Sequence, residues 1–509
     1  MKWSYIEHAR RILAREHGVV IKDWGGKLPV ALVYPNTYRV GMSSLGFQTV
    51  YRLFNAYPNI VCERAFWQPH RKPGAPIVSI ESQSAIGNFG VIAFSISFEM
   101  DYAHVVQTLR QAKIPLRAGE RDQNWPLVIA GGPAVSANPL PLADLIDAFV
   151  IGEIEPVLEP LVETLVESAS QPRELLWSAL GQIPGVYAPQ LHPGAEPPPV
   201  TRQWVRRLDD HPTSTVIHTP DAEFGDMHLI EISRGCSRRC QFCLAGFTTR
   251  PKRERSVESI LEQAKYGLTQ RNKIGLVGAA VSDYAPIDEL VSKLRALGAR
   301  LSVSSLRVAP LSESLLQALA ESGAQTLTLA PEAGSERLRR SIRKGVTETN
   351  LLHAAERAAH HRFRRLKLYF MIGLPTETDH DIAAIAQLCA QVAARFPGQI
   401  TANVTPFVPK AHTPFQRVTM TPTAVLDARL KRLDAQLKRQ HIALKGESPR
   451  WAAIQGLLAR GDRRIGRVLT ALQGTSSKAW RQALEKCEID LAANPVRDEN
   501  TPLPWSFIQ

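Results

Sequence analysis

Residues 227–243 read MHLIEISRGCSRRCQFC: an apolar strand-like run, a glycine, then three cysteines spaced CxxxCxxC. Thiols crowded this closely need a chemical reason. Three thiolates can cap three irons of a [4Fe-4S] cluster and leave the fourth iron open to a small molecule. A structural zinc ion wants four closed ligands. No fourth cysteine lies nearby, and His228 is the one neighbour to weigh in that place. The balance favours the cluster. Cys62, Cys389 and Cys487 stand alone and read as buried or unreactive thiols. Six cysteines in 509 residues make no disulfide framework.

Working outward, residues 222–420 alternate strand-like runs with helical segments: MHLIEISRG, KIGLVGAAV, ARLSVSSLRV, AQTLTLAPE, RLKLYFMIGLP and QITANVTPFVP. Six βα units in succession predict a partial (β/α)6 barrel with its reactive groups at the C-terminal strand ends. Residues 421–509 read as a helical region. Upstream, residues 171–221 are rich in Pro and Gly and read as a linker. Residues 28–170 alternate VALVYP, VIAFSIS, PLVIAGG and AFVIGE with helical segments, predicting a doubly wound parallel sheet whose strands are covered on both faces. Residues 1–27 read as an amphipathic N-terminal helix. The fold class is α/β.

The three cysteines, Phe242 before the last of them and the βα series that follows resemble the radical S-adenosylmethionine (SAM) superfamily. The resemblance implies that Cys236, Cys240 and Cys243 hold a [4Fe-4S] cluster whose open iron chelates SAM, and that an electron donor such as flavodoxin or ferredoxin feeds it. It also implies that Phe242 packs near the adenine. The family's Gly-Gly-Glu-like segment corresponds to LVGAAVSDY, which keeps Gly278 but has no glutamate in register, leaving Ser282 and Asp283 as candidates. Ser304, Ser305 and Arg307 stand at one strand end. The family's acidic SAM-seating role falls on Glu332 and the basic one on Arg343 or Lys344. Gly373 and Pro375 take geometric roles.

A doubly wound domain before such a barrel resembles the cobalamin-binding domain of a large subgroup. Gly131, Gly132 and Pro133, then Gly152, Glu153 and Glu155, match its late loops. The first loop, NTYRVG at residues 36–41, stands where many such domains carry DxHxxG, so Tyr38 replaces the histidine beneath cobalt. Neutral phenol is a poor ligand. Two readings stay open: cobalamin held without a protein His lower ligand, with Tyr38, Gly41, Ser43, Gly131, Gly132, Gly152 and Glu153 lining its site, or a retained fold with another occupant.

The net charge is +13, concentrated in runs such as RLRRSIRK and HHRFRRLKL. Such an excess steers anions, RNA and ribosomal components among them. Arg-rich helix faces are also commonly just solvated. No segment has the length and apolarity of a membrane span, and the expected location is cytoplasmic. The leading expectation is a radical SAM enzyme, cobalamin-linked, acting on an unidentified substrate by a reaction such as methyl transfer. RNA or ribosome modification, and a cluster-containing assembly protein docking a partner, are the alternatives.

Overall fold

The computed structural model describes residues 3–69, 75–168, 171–194, 196–304, 306–491 and 500–509. The first sheet comprises β1 (Leu28–Tyr34), β2 (Ile60–Phe66), β3 (Val91–Ser95), β4 (Leu127–Gly131), β5 (Ala148–Val150) and β6 (Val186–Tyr187) in the order β2-β1-β3-β4-β5-β6. The first five are parallel and β6 runs antiparallel to β5. Side-chain alternation sends Ala31, Val33, Ile92, Phe94 and Val128 into one apolar cluster and Val30, Leu32, Val91, Ala93 and Leu127 into another. Both faces of the sheet are therefore covered, which is why its strands carry no polar stripe.

The second half holds β7 (His228–Glu231), a short antiparallel pair β8 (Ser233–Arg234) and β9 (Arg253–Glu254), then β10 (Lys273–Val277), β11 (Arg300–Val303), β12 (Thr326–Glu332), β13 (Arg365–Ile372), β14 (Gln399–Pro406) and β15 (Ala443–Gly446). Parallel sheets β11-β10-β7 and β12-β13-β14-β15 make up the partial barrel. Leu366, Leu368, Phe370 and Ile372 of β13 pack outward among helical residues such as Leu388, Val392 and Leu433. The alternate residues of that strand stay partly or fully exposed on the inner side.

Three expectations need correction. The N-terminal helix spans only Trp3–Leu13, and the chain from residue 14 to 27 is not helical. The supposed linker contains the helix Arg173–Gly181 and β6, because RELLWSALG has an apolar stripe that buries Leu176, Trp177 and Leu180 before the Pro-rich run begins. The region after residue 420 is not purely helical: β15 pairs with β14 and extends the barrel sheet. The helices beyond it, Pro449–Arg460, Arg464–Ala471 and Ser477–Lys486, bury Leu458, Val468, Leu469 and Trp480 in the same cluster as Val128 and Phe149. Sequence-distant helices thus complete the core of the first sheet. Among the described residues no helix is long and apolar enough to cross a membrane.

Candidate active site

The strands β8 and β9 form a stem that carries residues 235–252, with all three clustered cysteines on the loop. Gly235 starts it at φ +85, where a Cβ would lie 2.1 Å from the Thr249 carbonyl oxygen. Only glycine passes there. The Cys243 N–H donates to the Cys240 carbonyl at 3.1 Å. Cys240 is buried, Cys236 and Cys243 partly so, and all three thiols are free. Burial pushes the Cys240 and Cys243 thiols up, opposed at Cys240 by the charges of Lys344 and Arg307 and at Cys243 by the N–H groups of Gly246 and Ala245. Cations and amide dipoles aimed at sulfur are the surroundings that stabilise thiolate ligands. The donor set therefore fits an iron–sulfur cluster. Among the described residues no three His, Cys, Asp or Glu side chains close around a single ion, and thiols serving different irons need not. His228 is not a fourth ligand: it is fully buried, with its Nδ1 3.0 Å from His218 Nε2 and its ring edge-on to Tyr266.

The strand ends converge on this loop. Glu332 closes β12 at φ +70, past an irregularity in its pairing with β13. A non-glycine residue held there is strained, a common mark of functional positions. Its carboxylate accepts from Lys344 Nζ at 2.8 Å, so of the two basic candidates Lys344 meets the acid while Arg343 stands exposed. Phe242 packs among Ala333, Leu338, Ile342, Leu374 and Phe407. The Gly278 N–H donates to Ser304 Oγ at 3.3 Å, and Ser282 Oγ accepts the Arg307 N–H at 2.9 Å. Asp283 joins Arg238 of the cysteine loop (3.2 Å) to Arg307 (3.5 Å). Ser305 lies outside the described residues. Gly373 and Pro375 lead into Glu377, which sequence reading missed. Its carboxylate accepts the Gly373 N–H at 2.7 Å and an Arg429 N–H at 2.6 Å, and burial raises its pKa to about 7.

A cavity of about 460 Å³ lies outside the C-terminal ends of β3, β4 and β5, where an open α/β sheet with this strand order places its ligand. Ser95, Gly131, Gly132, Ser136, Gly152 and Glu153 line one side, and Glu231, Arg234 and Val277 of the barrel line the other. Gly132 sits at φ +110, and a Cβ there would be 2.5 Å from the Ile96 carbonyl oxygen. Small residues keep the strand ends open. Three expected lining residues are absent from this cavity. Tyr38 turns toward the segment that follows the N-terminal helix: its ring packs edge-on against Phe66 and its hydroxyl donates to Glu16 at 2.5 Å. Gly41 is buried against the Phe66 ring. Ser43 Oγ donates to the Arg39 carbonyl and accepts the Glu223 N–H. The helical turn at residues 38–41 carries all three away, and Ser44, Leu45, Gly46 and Thr49 take their place.

Glu153 also belongs to an ion lattice that no motif announced. It accepts from Arg253 at 2.7 Å and 3.0 Å, from Arg234 at 2.8 Å and from the Val205 N–H at 2.8 Å. Arg234 further meets Glu155 (3.1 Å) and Glu231 (3.0 Å). Arg234 and Arg253 are the paired residues of the stem. The end of β5 therefore grips the cysteine loop at its base.

Residues 230–389 match the family described as the radical SAM superfamily, and residues 46–189 match radical SAM proteins, N-terminal. The two matches span more than half of the chain. The chain belongs to the radical SAM superfamily. It is an enzyme of that family, with the CxxxCxxC loop inside the matched barrel. An uncharacterised protein of Methanocaldococcus jannaschii is 31% identical over 447 residues, covering 86% of this chain and 90% of that one. A tRNA-2-methylthio-N(6)-dimethylallyladenosine synthase of Chromohalobacter salexigens is 26% identical over 261 residues, 44% of this chain and 56% of that protein. Among solved structures, the radical SAM methyltransferase TsrM of Kitasatospora setae, with cobalamin and a [4Fe-4S] cluster bound, aligns at TM-score 0.56 and 13% identity over 90% of this radical SAM chain and all of that one. The cobalamin-dependent radical SAM enzyme OxsB with aqua-cobalamin bound aligns at TM-score 0.52 and 13% identity, over 88% and 66% of the two chains. At such identities these structures speak for the fold alone.

Proposed function

We propose that this radical SAM enzyme holds a corrinoid in the cavity between its first sheet and β7–β10 and modifies a carbon centre of its substrate, with methyl transfer as the reaction class. The observation that carries the reading is the cavity itself: strand ends of glycine and serine on one side, the base of the cysteine loop on the other, and, among the described residues, no His, Cys or Met in its lining. A corrinoid seated there would have no imidazole beneath cobalt, which agrees with a tyrosine at position 38 that faces elsewhere. TsrM, solved with cobalamin and a [4Fe-4S] cluster, and OxsB, solved with aqua-cobalamin, support the same cofactor set.

Cys236, Cys240 and Cys243 would hold the cluster. When bound, cluster and corrinoid supply an electron for sulfonium cleavage and a carrier for a methyl group. The chain's own part is placement. Lys344 and Glu332, paired at 2.8 Å beside Cys240, offer an ammonium and a carboxylate to the charged and hydroxyl groups of SAM. Arg238, Asp283 and Arg307 brace the loop against the ends of β10 and β11. A flavodoxin or ferredoxin is the proposed electron donor, and the reducing cytoplasm, which keeps three free thiols available, is the proposed location.

Protein from a cobalamin-replete host, reconstituted anaerobically, should bind about four irons per chain and show separate cluster and corrinoid absorbance. Loading of iron without any corrinoid would sink the cobalamin half of the proposal and leave the cluster half standing.

RNA modification is a second reading, supported by the methylthio-tRNA synthase relatives. The arginine run at 337–344 adds little to it. Arg339 is buried and donates to the Val346, Ala333 and Gly334 carbonyls, Arg337 pairs with Asp381, and Arg340 pairs with Glu336. RNA retained on the purified protein and released by moderate salt would favour this reading.

A further inference from the structure

We infer that the inner face of β12–β15 is the substrate floor and that it takes a small organic anion, its phosphate or carboxylate group held by Lys367 and Lys445. The inference deepens the SAM-cleaving reading and rests on it. In-register pairing sets Lys367 beside Thr401 and sets Tyr369, Asn403 and Lys445 in one row across β13, β14 and β15. The opposite face of these strands is sealed by Leu366, Leu368, Ala402 and Val404 against the outer helices. The charged residues of this face are Glu332 on β12, Arg365 and Lys367 on β13 and Lys445 on β15. One acid stands among three cations, and that acid, Glu332, is already paired with Lys344.

The floor is built of donors. Asn403 Nδ2 is shielded from water and meets no acceptor among the described residues. A buried donor left open asks for a ligand or a reason. Tyr369 keeps 40% of its surface open, unlike the buried tyrosines of the first domain. The floor also leads to the chemistry, since Met371 at its upper end shares an apolar cluster with Phe242, next to Cys243. With about 3.3 Å of rise per residue, the Tyr369–Asn403–Lys445 row lies about 7 Å below Met371 and Lys367 about 13 Å below it. A substrate whose reacting carbon is near Met371 and whose oxyanion sits 7–13 Å away, by the same rise, would fill this span. Row spacing, cations without an ion pair among the described residues and an open amide donor thus set both the charge and the length of the substrate class.

The test is equilibrium dialysis of the reconstituted enzyme with radiolabelled inorganic pyrophosphate and, separately, malonate. One saturable site for either probe is expected, the tighter probe identifying phosphate or carboxylate as the natural group. Affinity should fall at least about tenfold in Lys367→Glu/Lys445→Glu and in the near-isosteric Asn403→Asp, but not in the surface control Lys438→Glu. Unchanged binding in both test variants, no saturable site, or displacement only by an RNA oligonucleotide would overturn the inference. Iron content and 5′-deoxyadenosine release from the same samples separate the two ideas. Retained SAM cleavage with no anion site refutes the floor alone, whereas failure to load iron refutes the enzyme reading.

Discussion

Replacing Glu153 with glutamine tests whether the first domain holds the cysteine loop. The side chain is 12% exposed and accepts three contacts from arginines plus one from a backbone N–H. Burial by itself would raise its pKa, but the Arg253 hydrogen bonds, the Arg234 charge and the Val205 N–H outweigh that and hold it below the usual 4.5. The amide keeps the shape and removes the charge. Arg253, only 7% exposed, then loses its carboxylate and keeps neutral acceptors alone, the Pro251 and Val205 carbonyls and the new amide oxygen, while Arg234 retains Glu155 and Glu231. Breaking a buried pair costs about 3–5 kcal/mol, and the carboxylates remaining to Arg234 place this case at the low end, about 3 kcal/mol. Urea unfolding of E153Q against wild type at pH 7.5, followed by iron content after reconstitution, reads both consequences. The expected result is an earlier transition and fewer irons per chain. Because the folded-state pKa is lowered, the carboxylate's contribution is present above pH 4.5 and is lost as pH falls through the folded value. The gap between the two proteins should therefore narrow in acid. An unchanged transition with full iron loading would refute the claim that the end of β5 anchors the stem.

Three further outcomes follow from the same geometry. Burial holds His218 near pKa 4 and His228 near 3, against the usual 6.5, so both are neutral when folded. Stability should be complete above pH 6.5 and fall by up to about 1.4 kcal/mol per histidine per pH unit below it; H218Q should flatten that slope in a pH series of melting curves, and an unchanged slope would contradict it. Tyr38→Phe removes the hydroxyl that donates to Glu16, so unfolding should become easier by about 1–2 kcal/mol while any corrinoid spectrum stays the same. Cys240→Ala should abolish the cluster's absorbance and 5′-deoxyadenosine release with little change in far-UV circular dichroism; a full complement of iron in that variant would remove Cys240 from the ligand set.

How much of this was legible in the sequence depended on how local each signal was. The cysteine spacing and the apolar runs of the barrel strands are local, and those strands appear where the sequence puts them. The strand β2, IVCERAF, escaped notice because Glu63 and Arg64 interrupt it, yet every residue in it is buried. Arg64 is tolerable there only through Glu16 and Glu81, which lie 48 and 17 positions away. The loop at residues 36–41 revealed that a histidine was missing but not where its tyrosine would turn, since that depends on Glu16, three residues past the N-terminal helix Trp3–Leu13. β15 was hidden for a similar reason: ALKG has one partly buried apolar residue and is a strand only because β14 offers it an edge. Glu377 and the Glu153 lattice likewise become visible only when distant segments meet.

That lattice ties the cavity to the cluster. Glu153, Glu155, Glu231 and Arg234 all line the cavity, and Arg234 is also a paired residue of the stem that ends at Gly235 and Cys236. Water in an open cavity screens these charges; a ligand that excludes it lowers the local dielectric and strengthens every pair. Under the proposed function, occupancy of the cavity would stiffen the base of the cysteine loop without touching a cysteine. From that loop the path continues past Phe242 to Met371 and down the inner face of β13. The two halves of the chain consequently meet at one set of carboxylates and arginines at the base of the cysteine loop.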